Sequence, residues 1–401
     1  MRRSTSTRAE PGRGRVHLAG MEARFHAQLQ EIPAAAWNAL RVDDNPFLDH
    51  AFLCGLERHG CATIDNGWQP HHLGLYEGGR LVAAAPAYLK FDSHGEFVFD
   101  WSWAHAHARH GLDYYPKLLC AVPYSPVGGT RLLAGSGTDA AALRAALVGA
   151  LRGEARRLGL SSAHLNFAAA SDIDALDGSD WLPRFDWQFH WRNEGWRCFD
   201  DFLASLSHKK RKNIRQERAQ VARAGVACEV RHGDELDDAE WQALYVLYRS
   251  TFAEKGNHAA LTLAFFRHLG AALPRNVVAV LCRRGGRIVA GSLMLRSSTT
   301  LYGRYWGCHE QVSGLHFEAC YYQGIDYCLR QGLATFEPGA QGEHKLARGF
   351  LPVRTHSFHW IADARFRAAI AAALQHEAEA LDAYGAELAA HSPYSATPEA
   401  G

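Results

Sequence analysis

The nine cysteines of this 401-residue chain include no CxxC pair. Cys54, Cys120, Cys282, Cys320 and Cys328 sit instead inside apolar stretches. That pattern argues against a zinc ribbon or a redox dithiol, and for buried free thiols in a reducing compartment. No apolar run approaches the ~18 residues of a membrane-spanning helix. The N-terminus, MRRSTSTRAEPGRGR, is basic and polar but has no apolar core, so it does not read as a secretory signal. Net charge is only +1, which excludes nucleic-acid binding through the bulk field and leaves any basic site local. The Gly-rich GAQGEHK at 339–345 lacks the GxxxxGK[ST] order of a nucleotide-binding loop. The expectation is a cytoplasmic protein, touching at most the inner face of a membrane.

What is present describes a folded chain, 47% hydrophobic and 21% charged. Its length is more than one ordinary core accommodates, so two domains are expected. An internal repeat supports this. YEGGRLVAAAPAY (76–88) and RRGGRIVAGSLML (283–295) are each a Gly-Gly turn followed by an apolar strand, with strand candidates before them at 71–75 and 277–282. Downstream of the first, 138–158 reads as an amphipathic helix ending at Gly159, then a strand at 162–167. Downstream of the second, 314–331 reads as a helix ending at Gly332, then a strand at 334–338. The same order twice predicts a duplicated mixed α/β domain. Between the halves, 200–225 reads as one helix, followed by a strand and a helix over 237–256. A further helix is expected over 363–385. The division is a tail over 1–20, domains over 21–199 and 200–387, and a tail over 388–401, with 200–256 as a basic helical segment of the second domain.

Four stretches carry candidate chemistry. In SHKKRKNIRQER (207–218), Arg211, Arg215 and Arg218 share one helical face, and Lys209, Lys210 and Lys212 surround its start. This is either a solvated face or a patch for phosphate groups of a nucleotide diphosphate, coenzyme A, tRNA or an anionic lipid. In the second stretch, 90–111, alternation from Glu96 to Trp103 suggests a strand, with Glu96 and Asp100 on a polar side able to hold an amine. His105, His107 and His110 lack the ligand spacing of a zinc site, and no metal is expected. The third stretch, 301–328, runs from an aromatic strand into a helix with His316 and Glu318 in its first turn. In the fourth, FEPGAQGEHKLARGF (336–350), Glu337 ends a strand, Gly339 and Gly342 allow close backbone approach, and Glu343, His344, Lys345 and Arg348 follow. Open α/β sheets bind ligands beyond strand carboxyl ends, so this loop stands where sites are built.

These stretches lie within longer motifs: NPFLDHAFL (45–53), GWQPHHL (67–73), PAYLK (86–90), SHGEFVFDWSWA (93–104), YYPKLLCAVPYSPVGG (114–129), QFHWRN (188–193), LSHKKRKNIRQER (206–218), LYGRYWG (301–307), LHFEACYYQGIDYC (315–328) and the 336–350 loop. Together, from about residue 40 to 385, the chain resembles the Fem-like "peptidoglycan biosynthesis/recognition" proteins, described as N-acyltransferases of the GNAT superfamily. The resemblance implies two tandem GNAT-like domains with a basic helical segment between them. It also implies transfer of an acyl or aminoacyl group from acyl-coenzyme A, acyl carrier protein or aminoacyl-tRNA to an amine of an envelope precursor or amino lipid, with no tightly bound cofactor. QVSGLHF (311–317) departs from the coenzyme A loop [QR]xxGx[GA] at Leu315 and His316, which weighs against acetyl-coenzyme A as donor. The base is expected among Glu337, Glu343 and His344, then Glu318 and His316, with Lys345 polarising the carbonyl or holding a phosphate. Substrate contacts are expected from Glu96, Asp100, Trp101, His190, Asn193, Lys209, Lys210, Arg211, Arg215, Arg218, Tyr302, Arg304, Tyr305, Gly339, Gln341, Gly342 and Arg348. The competing reading is a non-catalytic module that binds an envelope precursor or RNA on the basic helix.

Overall fold

The computed structural model describes residues 15–18, 20–340 and 342–395. In the first half the strands are β1 (Arg15–Leu18), β2 (Met21–His26), β3 (Trp68–Pro70), β4 (His72–Glu77), β5 (Arg80–Ala85), β6 (Ala87–Lys90), β7 (Lys117–Cys120), β8 (Ser162–Ala168) and β9 (Leu182–Arg192). The second half supplies β10 (Val226–His232), β11 (Val277–Arg284), β12 (Arg287–Arg296), β13 (Thr300–Cys308), β14 (Thr335–Glu337) and β15 (Leu351–Ile361). The repeat is real at the level of backbone angles. Both Gly-Gly turns hold two consecutive positive φ values, 55° and 83° at Gly78–Gly79 and 55° and 79° at Gly285–Gly286. Two adjacent residues at positive φ are what a tight hairpin turn demands, and glycine adopts them without strain.

Each half then brings two strands side by side in parallel through a helical crossover. In the first, Leu118 pairs with Ala163 across β7 and β8, joined by the helix Ala140–Arg157. In the second, Tyr302 pairs with Glu337 across β13 and β14, joined by the helical stretch from Leu315 to Gln331. The halves do not stand apart. One sheet runs through both in the order β10-β11-β12-β13-β14-β9-β15-β8-β7-β6-β3, beside a smaller sheet β1-β2-β4-β5. The last strand of each half lies against the other half: β9 beside β14, and β15 beside β8. The core crosses the repeat boundary too. Phe47 meets Tyr302 edge-on at 5.3 Å, and Phe52 meets Phe265 at 5.5 Å. Burying each such side chain contributes about 1.5–3 kcal/mol, so the two halves stabilise one another.

Several sequence expectations need correction. The segment 200–225 is two helices, Phe199–Ser205 and His208–Arg223. The chain turns at the fully buried Leu206, and the Ser207 N–H bonds to the Pro393 carbonyl at 3.0 Å. Glu96–Trp103 is no strand. Phe97 has φ 60°, and a helix begins at Trp101. The alternation from Glu96 to Trp101 arises because Glu96 and Asp100 turn inward to Lys117 while Phe97, Phe99 and Trp101 turn outward, and it ends at Ser102, exposed, and Trp103, buried. The C-terminal helix runs further than expected, over Ala364–Ala390, capped by Asp363. The tail reading does not describe residues 15–18, which pair with β2, nor Tyr394, whose hydroxyl donates to the Gly349 carbonyl at 2.6 Å. Residues 1–14 and 396–401 lie outside the described residues.

Candidate active site

The loop 336–350 begins where β13 and β14 part. A Cβ at Gly303 would come within 3.1 Å of the Pro338 backbone, so the glycine lets the chain leave the sheet there. On the other side of β14, Thr335 pairs with Arg192 and Phe336 with Trp191, which puts His190 on the next rung beside Glu337. His190 in turn pairs with Leu351 of β15. A row of side chains therefore crosses four strands: Tyr302, Glu337, His190, Leu351.

Glu337 accepts the Gly128 N–H of the first half and lies near Arg304 and Arg131. Its Oε2 is shut off from solvent and has no hydrogen-bond partner. Burial pushes its carboxyl up to about 7, against the opposing pull of Gly128 and the two arginines. Arg304 ties the halves together by donating to the Tyr124 carbonyl at 2.8 Å. Arg131 is fully buried and held by the carbonyls of Val127 and Gly129 at 2.5 and 3.0 Å. The carboxyl thus sits between the halves, beside two cations already anchored to backbone.

Lys345 lies on the turn Glu343–Arg348 and is 2% exposed. Its Nζ donates to the Gly339 carbonyl at 2.6 Å. No described carboxylate forms an ion pair with it, and burial lowers its ammonium to about 8. Gly342 is at φ 119°, and a Cβ there would meet the His344 ring at 2.5 Å. The His344 Nε2 is 2.9 Å from the Tyr321 hydroxyl, and its ring faces His316 at 6.2 Å. Burial, and then His344 and Arg348, hold His316 down at about 4, so it is neutral near pH 7.

Other candidates are engaged elsewhere. Arg348 pairs with Glu217 at 2.7 Å, accompanied by Tyr322, and lies 3.3 Å over the Phe317 ring. Arg218 grips Glu318 through two bonds of 3.1 Å, so Glu318 is an ion-pair partner rather than a free base. Arg215 approaches Asp200 at 3.8 Å, and Arg211 donates to the Leu206 carbonyl at 3.1 Å. Of the shared arginine face, Arg218 is firmly engaged, whereas Arg215 stays exposed with only a long ion pair. Lys209, Lys210 and Lys212 at its start form no ion pair with any described residue. Glu343 is exposed and accepts the Tyr384 hydroxyl at 2.5 Å. Asn193 caps a turn through the N–H groups of Gly195 and Trp196 at 3.1 and 2.8 Å. Tyr305 packs on Tyr248 at 5.0 Å. Gln341 lies outside the described residues.

Glu96 and Asp100 are not on an open face. Lys117 is 1% exposed and donates to Glu96 at 2.7 Å, Asp100 at 2.5 Å and the Ser93 hydroxyl at 3.2 Å. Tyr114 donates to Asp100 at 2.5 Å as well. Burial opposes the charge on Asp100, but Lys117 and His164 outweigh it and hold the carboxyl down, whereas burial raises Glu96. Trp101 points outward and is 41% exposed. Sequence reasoning missed Arg131, the Gly128 N–H and Lys117. The Pro- and Gly-rich VPYSPVGG just before Arg131 is the one local signal of a chain segment shaped to approach something closely.

A family model described as FemAB-like, peptidoglycan biosynthesis/recognition, matches residues 28–396. A search of curated proteins by sequence found no match. Among solved structures, the chain is similar to one described as FemX, with TM-score 0.51 and 11% identity, over 86% of this chain and 99% of that one. It is also similar to the C-terminal domain of a putative lysylphosphatidylglycerol synthetase from Agrobacterium fabrum, with TM-score 0.51 and 12% identity, over 84% and 94%. A tandem GNAT protein from the clavulanic acid biosynthesis pathway aligns at TM-score 0.44 and 12% identity, over 84% of this chain and 98% of that one. At such identities the likeness concerns the fold, which is the expected mixed α/β arrangement.

Proposed function

We propose, from the premise that the chain belongs to the FemAB-like family of peptidoglycan biosynthesis/recognition proteins, that it forms amide bonds. It moves an acyl or aminoacyl group from an activated ester or thioester to an amine of an envelope precursor or amino lipid. One observation carries this reading. At the end of β14 a carboxyl pushed up to about 7, with one oxygen unpartnered, lies near two anchored arginines. A general base works best when its pKa lies near the working pH, and Glu337 meets that condition.

The steps assign each group a task. Glu337 takes a proton from the incoming ammonium. The freed amine attacks the acyl carbonyl carbon, and the tetrahedral oxyanion faces the Lys345 ammonium. As the carbon–oxygen or carbon–sulfur bond breaks, the proton held by Glu337 passes to the leaving group, and the carboxylate so freed takes the second proton from the amide nitrogen and releases it to solvent. No covalent enzyme intermediate is needed. His344 and His316 line the same loop, and His316 stays uncharged there. Donor phosphates meet Lys209, Lys210 and Lys212. The turn 311–317 is less open to them: Ser313 bonds Gln220 at 3.1 Å, and a Cβ on Gly314 would reach the Glu217 carbonyl at 3.0 Å. The basic helix thus lies across the turn that a coenzyme A pyrophosphate occupies in the pattern [QR]xxGx[GA]. A module that only binds has no use for a half-protonated carboxyl with one oxygen left unpartnered.

The test is lipid and muropeptide profiling of a deletion strain. Donor screening of the purified chain with acyl-coenzyme A, acyl carrier protein thioesters and aminoacyl-tRNA then follows. The expected result is loss of an amide-bearing envelope compound, restored by the wild-type gene and not by Glu337→Gln. Equal restoration by both, or an unchanged profile, contradicts the proposal.

A further inference from the structure

A cavity of about 440 Å³ opens beside His190, at the far end of the row that starts at Tyr302 and Glu337. Its size falls in the range of small-molecule sites. Leu351, Pro352 and Val353 at the start of β15 form one wall. Trp196 and Tyr394 form another, stacked at 5.7 Å with 17° between their planes. The Tyr394 hydroxyl is bound to the Gly349 carbonyl and turns no free polar group inward. Leu351 is 40% exposed, an aliphatic side chain left uncovered in a concave place. His190, at the inner end, is held down at about 4 by burial, so it adds no charge at neutral pH. The two charged lining residues, Arg192 and Glu194, are exposed and form no ion pair with any described residue, as befits a mouth rather than a wall.

We propose that this cavity holds the hydrocarbon chain of the transferred acyl group, an assignment that rests on the transfer reading above. The carbonyl under attack belongs near Glu337 and Lys345. From β14 to β15 is two strand spacings, about 10 Å. An amino-acid side chain does not span that distance, whereas a medium or long hydrocarbon chain crosses the His190 rung and fills the apolar walls. The donor is thus a fatty acyl ester or thioester, and the product a fatty amide.

The experiment uses the full chain and acyl-pantetheine thioesters, whose carrier is common to coenzyme A and acyl carrier protein. Binding of acetyl, octanoyl and hexadecanoyl forms is measured by calorimetry below their aggregation concentrations. Affinity is expected to rise at least tenfold from acetyl to hexadecanoyl. Val353→Trp and Leu351→Trp fill the cavity and are expected to abolish that rise, with acetyl binding and melting temperature unchanged. Glu337→Gln is expected to keep it. No dependence on chain length in the wild type, or a dependence that survives both tryptophan variants, overturns the proposal. Variant-sensitive binding of hexadecylamine in place of the thioester also overturns it, by assigning the cavity to the acceptor. Chain-dependent binding lost in the variants, with no amide formed from any amine, supports the cavity and overturns the transfer reading instead.

Discussion

Lys117 and Lys345 are both buried lysines, one in each half, yet their surroundings differ in kind. Lys117 meets two carboxylates within 2.7 Å, and burial's tendency to lower its ammonium is outweighed by Glu96 and Asp100. Lys345 meets only a backbone carbonyl, and burial brings it down to about 8. The acids differ likewise. Asp100 is bonded to Ser93, Tyr114 and Lys117, whereas Glu337 has one oxygen without a partner and is pushed up to about 7. Glu96 also keeps one oxygen unpartnered, but its other oxygen is bonded to Lys117. Matched charges hold a fold together and leave nothing over for a substrate. Glu337 and Lys345, at about 7 and about 8, instead lie in the range where a side chain can exchange a proton near neutral pH.

The largest effect that would separate the two clusters is on turnover. Glu337→Gln is expected to lower the transfer rate about 10²–10⁴-fold, measured as amide product by mass spectrometry. The same variant is expected to be the more stable protein at high pH. Because the folded carboxyl binds its proton more tightly than the usual 4.5, wild-type stability falls as pH rises from about 4.5 through about 7. Glutamine removes that loss, on the order of 2 kcal/mol above pH 7, read from urea melts at pH 5 and pH 8. Should Glu337→Gln leave turnover intact, the two clusters are functionally alike.

Lys117→Met tests the other side of the comparison. It leaves Glu96 and Asp100 buried without their cation, and is expected to cost about 3–5 kcal/mol in urea denaturation at pH 7. Acidification that protonates the carboxyls is expected to return part of it. A variant as stable as the wild type would mean that the first cluster is not a structural lock. The smallest effect concerns the outer lysines. Replacing Lys209, Lys210 and Lys212 together by Ala is expected to raise KM for a phosphate-bearing donor about tenfold, with kcat little changed and the difference shrinking as salt rises.

These contrasts mark where sequence reading succeeds. The Gly-Gly hairpins, the helix Ala140–Arg157 and the placement of Glu337 at a strand end are local, and their periods and glycines are visible in one dimension. The four-strand row is not visible, because β9 comes beside β14 only through the exchange of β9 and β15 between the halves. Arg348 looked free to hold phosphate because its partner, Glu217, lies 131 residues away, and Glu318 looked free because Arg218 lies 100 residues away. Residues 96–103 misled for a different reason. A loop laid over a polar cluster alternates inward and outward just as a strand does, without any ladder of hydrogen bonds. Arg131 and the Gly128 N–H were missed because an anchor made of backbone has no side-chain motif.

The pH dependence of kcat/KM for the wild type, set beside that of Lys345→Met, tests the central claim most directly. The wild type is expected to give a bell. Its acid limb lies near 7, where Glu337 loses its proton, and its alkaline limb near 8, where Lys345 loses its own. Lys345→Met is expected to be slower and to lose the alkaline limb while keeping the acid one. An acid limb near 4, or an alkaline limb unchanged by Lys345→Met, would contradict the assignment of base and oxyanion partner to this pair.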